Sequence, residues 1–353
     1  MRFWDWITGN KGTQEQTVTP TVSTRAATPA LSEPASTCAV LEQEPQDSET
    51  NPPWWMPQGE SLLELTTVTR PELTAEARAL ENLLILHFDG RNLSLPSLPH
   101  VPEKVLRILS TRDSAMKQVA QEIGKDQVSA AAVLRMANST LYCGLQKITA
   151  LQPAVVRLGS NAVRTAMLNL SMRSVTFREQ RKGNNRAEML WQRALASATI
   201  MRALSSFTKI DPEEAFLIGL LHDVGNIIVL RIVNTQQASF RFPIDDPTFE
   251  YLCYEAQQEF GELLADAWSL PERLKSLICD HHAYPVLGHP FRIERLQLQL
   301  ADMICSLLGY APPANYDLLA SRPVRDLGLT DRPDFVPFLE SLRPSRCRKE
   351  PLR

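Results

Sequence analysis

The feature that most constrains the fold is the helical spacing of the apolar residues, which continues with few breaks over residues 93–342. In VPEKVLRILS, for example, Val101, Val105 and Ile108 recur at intervals of four and three residues, so they share one face of a helix with Leu109. No segment alternates apolar and polar residues in the manner of a half-buried strand. The sequence therefore predicts an all-α fold.

A polar stretch, REQRKGNNR from Arg178 to Arg186, interrupts the helical pattern. We expect it to separate two packed lobes, an N-terminal lobe of about residues 93–178 and a second lobe of about residues 186–342. Its basic charge is typical of a solvated loop, and the alternative interpretation is a phosphate site.

Upstream of the first lobe, PELTAEARALENLLILHF predicts a leading helix within residues 71–92. Proline is favoured in the first turn of a helix, so we expect this one to begin near Pro71 and to end at Asp89-Gly90. Its predicted buried stripe contains Leu73, Ala77, Leu80, Leu84 and either His87 or Phe88.

Residues 1–70 differ in composition from the rest of the chain. From residue 12 to about residue 60 they are rich in Thr, Pro, Ser, Gln and Glu, and such a segment buries too little surface to offset the entropy of ordering it. We predict disorder here and fraying in the basic tail, residues 343–353.

Trp54 and Trp55 are expected to pack on the folded domain. The aromatic tip is either a contact segment or an end that folds back on the core; its large apolar residues are Phe3, Trp4, Trp6 and Ile7.

Composition excludes several classes of function. The net charge of −3 and the isoelectric point near 6.1 give no reason to expect nucleic acid as a partner. The six cysteines form no CxxC pair and lie in apolar segments, which favours reduced, buried thiols of a cytoplasmic protein. We expect no transmembrane segment, since no apolar run approaches about 20 residues, and no export signal.

The string GLLHDVGN carries the most chemical information, because His222 and Asp223 follow an apolar run. On a helix, adjacent residues are about 100° apart, so both can reach one pocket only where several helices converge. His281, His282 and Asp302 follow near later helices, and imidazole with carboxylate suits iron, manganese or zinc. The alternative is a set of hydrogen-bonded core and capping residues, and spacing alone does not decide between them.

Asn138 and Ser139, in LRMANS, are a second feature with two interpretations. Both residue types compete with helical hydrogen bonds and favour helix ends. We expect a helix terminus held by side-chain hydrogen bonds; the alternative is a ligand contact in the groove between lobes.

The chain resembles the HDOD family, HD-related output domains, from about Leu93 to His282, with a helical continuation to about Leu342. The matching segments are LPSLPHVPEKVLRIL, VLRMANSTLYCG, ITALQPAVVRLGSNAVRTAML, LWQRALASA, EEAFLIGLLHDVGNIIVL, FGELLADAW with LP after it, and DHH. The resemblance implies an all-α, HD-like helical bundle in two lobes and a role in bacterial signalling, often without catalysis.

Two departures from related HD hydrolases affect the site that the resemblance implies. Arg193 stands where such enzymes supply their first histidine, and Gln257 stands where HD-GYP-like enzymes supply another. Arginine has no lone pair for a metal, and an amide is a poor substitute for imidazole. We therefore expect no catalytic residue, no metal and no other cofactor, with Arg193 paired instead to Asp223 or Asp302.

Three functions remain as hypotheses. The leading one is a non-catalytic regulatory module that acts on protein partners of a bacterial signalling pathway or senses a small ligand. The alternative is a metal-dependent HD phosphohydrolase acting on nucleotides or cyclic dinucleotides. Nucleic-acid binding is the third, and it needs a basic face that the composition does not provide.

Overall fold

The computed structural model describes residues 53–57, 61–63, 68, 70–88, 93–111, 116–142, 144, 146–240, 244–279 and 281–342. The predicted disordered segment as far as residue 52, including the aromatic tip, and the basic tail from residue 343 lie outside these ranges.

The regular structure of the described residues is helical. Within those residues no β-strand forms, and only isolated bridges join Leu62 to Tyr316 and Arg181 to Asn184. The predicted all-α fold is confirmed. The helices are α1 (Ala75–Leu86), α2 (His100–Leu109), α3 (Met116–Ile123), α4 (Gln127–Ala137), α5 (Leu151–Arg178), α6 (Arg186–Leu204), α7 (Pro212–Leu221), α8 (Asn226–Phe240), α9 (Asp246–Ala267), α10 (Glu272–Cys279), α11 (Arg292–Leu307), α12 (Arg322–Asp326) and α13 (Phe335–Ser341).

In the N-terminal lobe α2, α3 and α4 pack against α5. Its core contains Val105, Ile123, Val133 and Val163, all fully buried. The long helix α5 bends at Gly159, whose φ of 74° lies in the left-handed region that favours glycine.

The second lobe is built around α6 and α7, which pack side by side, with α11 against α6 and with α9 against both α8 and α10. One stretch, Pro212–Gln237, is long and apolar enough to cross a membrane by composition, contrary to the expectation that no run approaches that length. However, 94% of its apolar window is buried inside the fold, as is typical of a core segment. Cys253 and Cys305 are buried free thiols, as expected.

The polar stretch coincides with a break between two helices, because α5 ends at Arg178 and α6 begins at Arg186. Arg186 itself is not part of a solvated loop. It is only 6% exposed, and its guanidinium stacks 4.6 Å from the ring centroid of Phe249 at the start of α9. A buried guanidinium over an aromatic ring is a packing anchor.

The leading helix begins four residues later than Pro71, at Ala75, because the side chain of Thr74 accepts a hydrogen bond from the Ala77 backbone N–H. Of the predicted stripe, Leu73, Ala77, Leu80 and Leu84 are buried, whereas His87 and Phe88 are only half-buried.

Packed structure also extends upstream of the predicted boundary at residue 70. Trp55 is 5% exposed, in agreement with the expected packing on the domain. Residues 61–63, which we call the strap, pair with the segment after α11: Leu62 N donates to Asn315 O at 2.8 Å, and Asp317 N donates to Leu62 O at 3.0 Å. These backbone hydrogen bonds hold part of the segment that composition alone assigns to disorder.

Candidate functional site

His222 and Asp223 lie in a tight turn, residues 222–225 (the HDVG turn), that joins α7 to α8. Val224 N donates to Leu221 O at 3.0 Å and Asn226 N donates to Asp223 O at 3.0 Å, so the backbone bonds here span three residues. The sequence predicts one helix that contains both His222 and Asp223, whereas α7 ends at Leu221, before both residues. At Gly225 any Cβ would overlap the backbone oxygen of Gln257, so glycine lets the turn lie directly on α9.

Four side chains converge beside this turn, and we call His222, Asp223, His281 and Asp302 the HD cluster. His222 Nε2 lies 3.3 Å from both Asp223 Oδ2 and Asp302 Oδ1, and His281 Nε2 lies 3.4 Å from Asp223 Oδ1. His281 follows α10 and Asp302 lies on α11, so the cluster forms only when these elements pack. None of the four is more than 5% exposed.

The two histidines of the cluster have the same orientation. Nδ1 of His222 lies 2.8 Å from Gly219 O, and Nδ1 of His281 lies 3.0 Å from Ile278 O, so in each ring Nδ1–H donates to a backbone carbonyl. Each Nε2 then faces carboxylate oxygens. Burial opposes a charge on His222, but Asp223 and Asp302 outweigh it and raise the pKa to about 10, so this ring is a cation at neutral pH.

Arg193 reaches the cluster from α6. Its Nε lies 3.0 Å from Asp223 Oδ2, and its Nη1 lies 3.5 Å from Glu250 Oε2. The expected pairing of Arg193 with Asp223 is confirmed, while Asp302 faces His222 instead. Although burial opposes ionisation of Asp223, Arg193 and His222 hold the pKa of this carboxyl well below its usual range.

Gln257 and His282 form a separate pair at the edge of the cluster. The amide Nε2 of Gln257 contacts His282 Nε2, and the two residues line the cavity described below. Burial, followed by the charge on His281, lowers the pKa of His282 to about 3, so this ring stays neutral. His282 is thus the one residue of the HD, HH and D series that lies outside the cluster.

The geometry of the cluster favours a divalent metal ion, whereas its charge opposes one. The ligand atoms of His222, Asp223 and His281 lie within 4.8 Å of one another, and their types suit iron, manganese or zinc. However, the guanidinium of Arg193 already lies against Asp223 and Glu250. A guanidinium is a permanent cation without a lone pair, so it repels a divalent ion and supplies no ligand. With Arg193 in this place, the cluster is a poor fit to a divalent ion.

Sequence reasoning missed Glu250, the second carboxylate near Arg193. A signal was present, because Glu250 lies seven residues before Gln257 on α9, and two helical turns place both on one face. Ser197 was also missed; its Oγ lies 3.5 Å from Asp302 Oδ1.

Asn138 has the structural role that the sequence favours. Its side-chain amide donates to Leu134 O at 2.8 Å and to Ile148 O at 2.7 Å, and its oxygen accepts from Ile148 N at 2.8 Å. These bonds close the loop between α4 and α5.

Comparison with known protein families identifies the family of this chain. The family model of the HDOD domain matches residues 95–284, more than half of the chain. The chain belongs to the HDOD domain family. The match agrees with the resemblance found in the sequence, and it extends over both lobes as far as the two histidines after α10.

Solved HDOD-like structures share this fold. A protein of Shewanella amazonensis SB2B, named as a presumed metal-dependent phosphohydrolase, is 20% identical over 76% of this chain and 98% of its own, with a TM-score of 0.58. An HDOD domain protein of unknown function from Geobacter sulfurreducens is 24% identical over 75% of this chain and 89% of its own, with a TM-score of 0.52. At these identities the similarity shows the fold alone.

Among curated proteins, an uncharacterized protein of Treponema pallidum (strain Nichols) is 19% identical over 230 residues. The match covers 62% of this chain and 44% of the relative, so the HDOD chain spans less than half of that protein's length.

Proposed function

We propose that this chain is a bacterial signalling or regulatory module that acts through a protein or small-ligand interaction, and that its HD cluster does not hydrolyse phosphoesters. The observation that carries the proposal is the contact of 3.0 Å between Arg193 Nε and Asp223 Oδ2. In related hydrolases, as the HDOD resemblance implies, a metal-binding histidine stands in the place of Arg193. Here a permanent cation is paired with the carboxylate that a metal would need.

The absence of hydrolysis follows from the chemistry of water activation. Related HD enzymes use a bound metal to lower the pKa of water for attack on phosphorus. Without a metal, His222 is held as a cation by Asp223 and Asp302 and is a poor general base. The HD cluster then acts as a buried ion-pair cluster that holds α6, α11 and the HDVG turn together.

The proposal includes a cytoplasmic location, no bound cofactor and protein partners from a signalling pathway. Its support is the HDOD family membership together with burial of the most apolar stretch inside the fold. The net charge of −3 argues against nucleic acid as the partner.

The alternative is a metal-dependent phosphohydrolase acting on nucleotides or cyclic dinucleotides. One observation favours it: Nε2 of His222 and of His281 lie among the oxygens of Asp223 and Asp302 at 3.3 to 3.4 Å. Neighbouring ligands of one ion that is about 2.0–2.2 Å from each have comparable separations.

Metal analysis of the purified full chain, with a hydrolysis screen on nucleotides and cyclic dinucleotides, decides between the two. We expect no stoichiometric iron, manganese or zinc and no hydrolysis. Arg193→His removes the fixed cation and restores an imidazole, so this variant should gain metal. Arg202→His is the matched control, because Arg202 lies on the same helix in a partly buried ion pair of 2.8 Å with Glu213, outside the HD cluster. A stoichiometric metal in the unaltered protein, lost in His222→Ala or Asp223→Ala together with hydrolysis, would establish the enzyme instead.

A further inference from the structure

A cavity of about 270 Å³ lies directly against the HD cluster. Arg193 and Glu250 form the inner wall, next to the HD cluster, and Tyr254, His282, Pro312, Pro313 and Tyr316 also line the cavity. Ligand cavities for drug-sized molecules range over about 300–1,000 Å³. This cavity therefore has room for a ligand of one or two fused rings.

The inner wall presents a donor and an acceptor side by side. Arg193 lines the cavity while its Nε lies 3.0 Å from Asp223 Oδ2 and its Nη1 lies 3.5 Å from Glu250 Oε2. Its side chain keeps 16% of its surface exposed, and that of Glu250 keeps 20%. Glu250 Oε2 and Arg193 Nη1 are 3.5 Å apart, so an N–H donor next to an oxygen acceptor on one ligand edge can meet both groups.

The remaining walls suit a flat ligand. The rings of Tyr254 and His282 are 5.0 Å apart at an angle of 45°, and Pro312 and Pro313 add apolar surface to the lining. Aromatic and proline side chains pack well against planar rings.

The charges at the cavity disfavour a phosphate. Asp302 and Glu250 both line it, and the positive charge of Arg193 is already balanced by Asp223 and Glu250. A phosphate would have to lie near two carboxylates without an unpaired cation.

We propose that this cavity binds a small, uncharged cyclic amide, with Arg193 donating to the ring carbonyl and Glu250 accepting from the adjacent ring N–H, as in an oxopurine or a pyrimidinedione. This inference rests on the proposed function, because a resident metal with its phosphate substrate would use the same space.

The binding test uses the full chain, treated with a chelator, in titration calorimetry and thermal denaturation. The probes are hypoxanthine and uracil, which carry the amide edge, that is, a ring carbonyl next to a ring N–H. The comparison rings are adenine, which lacks the carbonyl, and 1-methylhypoxanthine, which lacks that N–H. We expect hypoxanthine or uracil to bind and to raise the melting temperature, and the two edge-deficient rings to bind at least about tenfold more weakly. Inosine 5′-monophosphate, which adds a phosphate, should also bind more weakly than hypoxanthine.

Glu250→Ala should abolish the preference for the amide edge. Glu255→Ala is its matched control, because Glu255 is exposed on the same helix and does not line the cavity. Should Glu250→Ala fail to fold, the series of ring analogues on the unaltered protein still decides the matter.

The inference is overturned if no probe binds, if adenine and 1-methylhypoxanthine bind as well as hypoxanthine, or if the monophosphate binds more tightly. These outcomes are distinct from failure of the proposed function. A stoichiometric metal with hydrolysis refutes the proposed function, whereas a metal-free, inactive protein that binds no ring refutes only this inference.

Discussion

The guanidinium of Arg193 lies between two carboxylates in a region that is nearly closed to water. Arg193→Ala should lower the free energy of unfolding by about 3 kcal/mol, because removing one partner of a buried pair leaves Asp223 with the histidines alone. Urea denaturation measures the loss. Arg332→Ala is the control: Arg332 and Asp334 form an exposed pair, and its loss should cost about 0–1 kcal/mol. Equal stability of the Arg193 variant and the unaltered protein would show that the pair is not needed.

The charge on His222 makes stability depend on pH in a defined direction. Its pKa is raised from 6.5 to about 10 in the folded protein, so its stabilising contribution is complete below pH 6.5 and is lost as the pH rises through about 10. The difference in urea midpoint between the unaltered protein and His222→Gln should therefore shrink over that range. Groups outside the HD cluster titrate in both proteins and cancel. A difference that stays constant over that range would instead indicate a neutral ring, as a metal ligand requires.

The members of the HD cluster could be proposed from the sequence because their chemistry and order are distinctive. The pairing of Arg193 with Asp223 could also be predicted, since a buried carboxylate needs a cation or donors. Glu250 was signalled only by its spacing of seven residues from Gln257 on α9. The separate position of His282 was not signalled, because it depends on how the residues after α10 pack.

At the scale of elements, the HDVG turn depends on a residue with no side chain. Gly225→Ala should destabilise the protein by at least about 1–3 kcal/mol, because its Cβ must displace the backbone of α9 at Gln257. Gly124→Ala offers a comparison, since the nearest atoms would lie at ordinary contact distances of 3.4 Å or more. Guanidinium denaturation of both variants measures the difference, and similar midpoints would contradict the close approach.

The spacing of apolar residues predicts where the helices lie, but it predicts the residues at which they begin and end less well. The start of α1 shifts from Pro71 to Ala75 because the Thr74 side chain provides the cap. The break between α7 and α8 could not be predicted from the sequence, for a different reason. The residues on both sides are apolar all round, since this stretch is buried on every face, and periodicity gives no boundary there.

At the scale of the whole molecule, the break between α5 and α6 followed from one polar stretch between helical segments. The upstream limit of packed structure did not, because the strap is held by its backbone. Composition predicts whether side chains can form a core, but it does not report on backbone pairing. Within this upstream region the burial of Trp55 could be predicted, since a large aromatic residue near a domain favours burial.

The strap joins the beginning of the described chain to residues beyond α11 through three backbone hydrogen bonds, from Leu62 N, Asp317 N and Arg322 N. Few apolar contacts accompany them, since Leu62 and Leu63 remain 38% and 44% exposed. Segments of this kind open at a lower free energy than the core. In native-state hydrogen exchange these three amides should therefore exchange together and well before those of α7, without global unfolding. Because the strap pairs with the residues on either side of Tyr316, which lines the cavity, each such opening would remove a support of that part of the cavity wall.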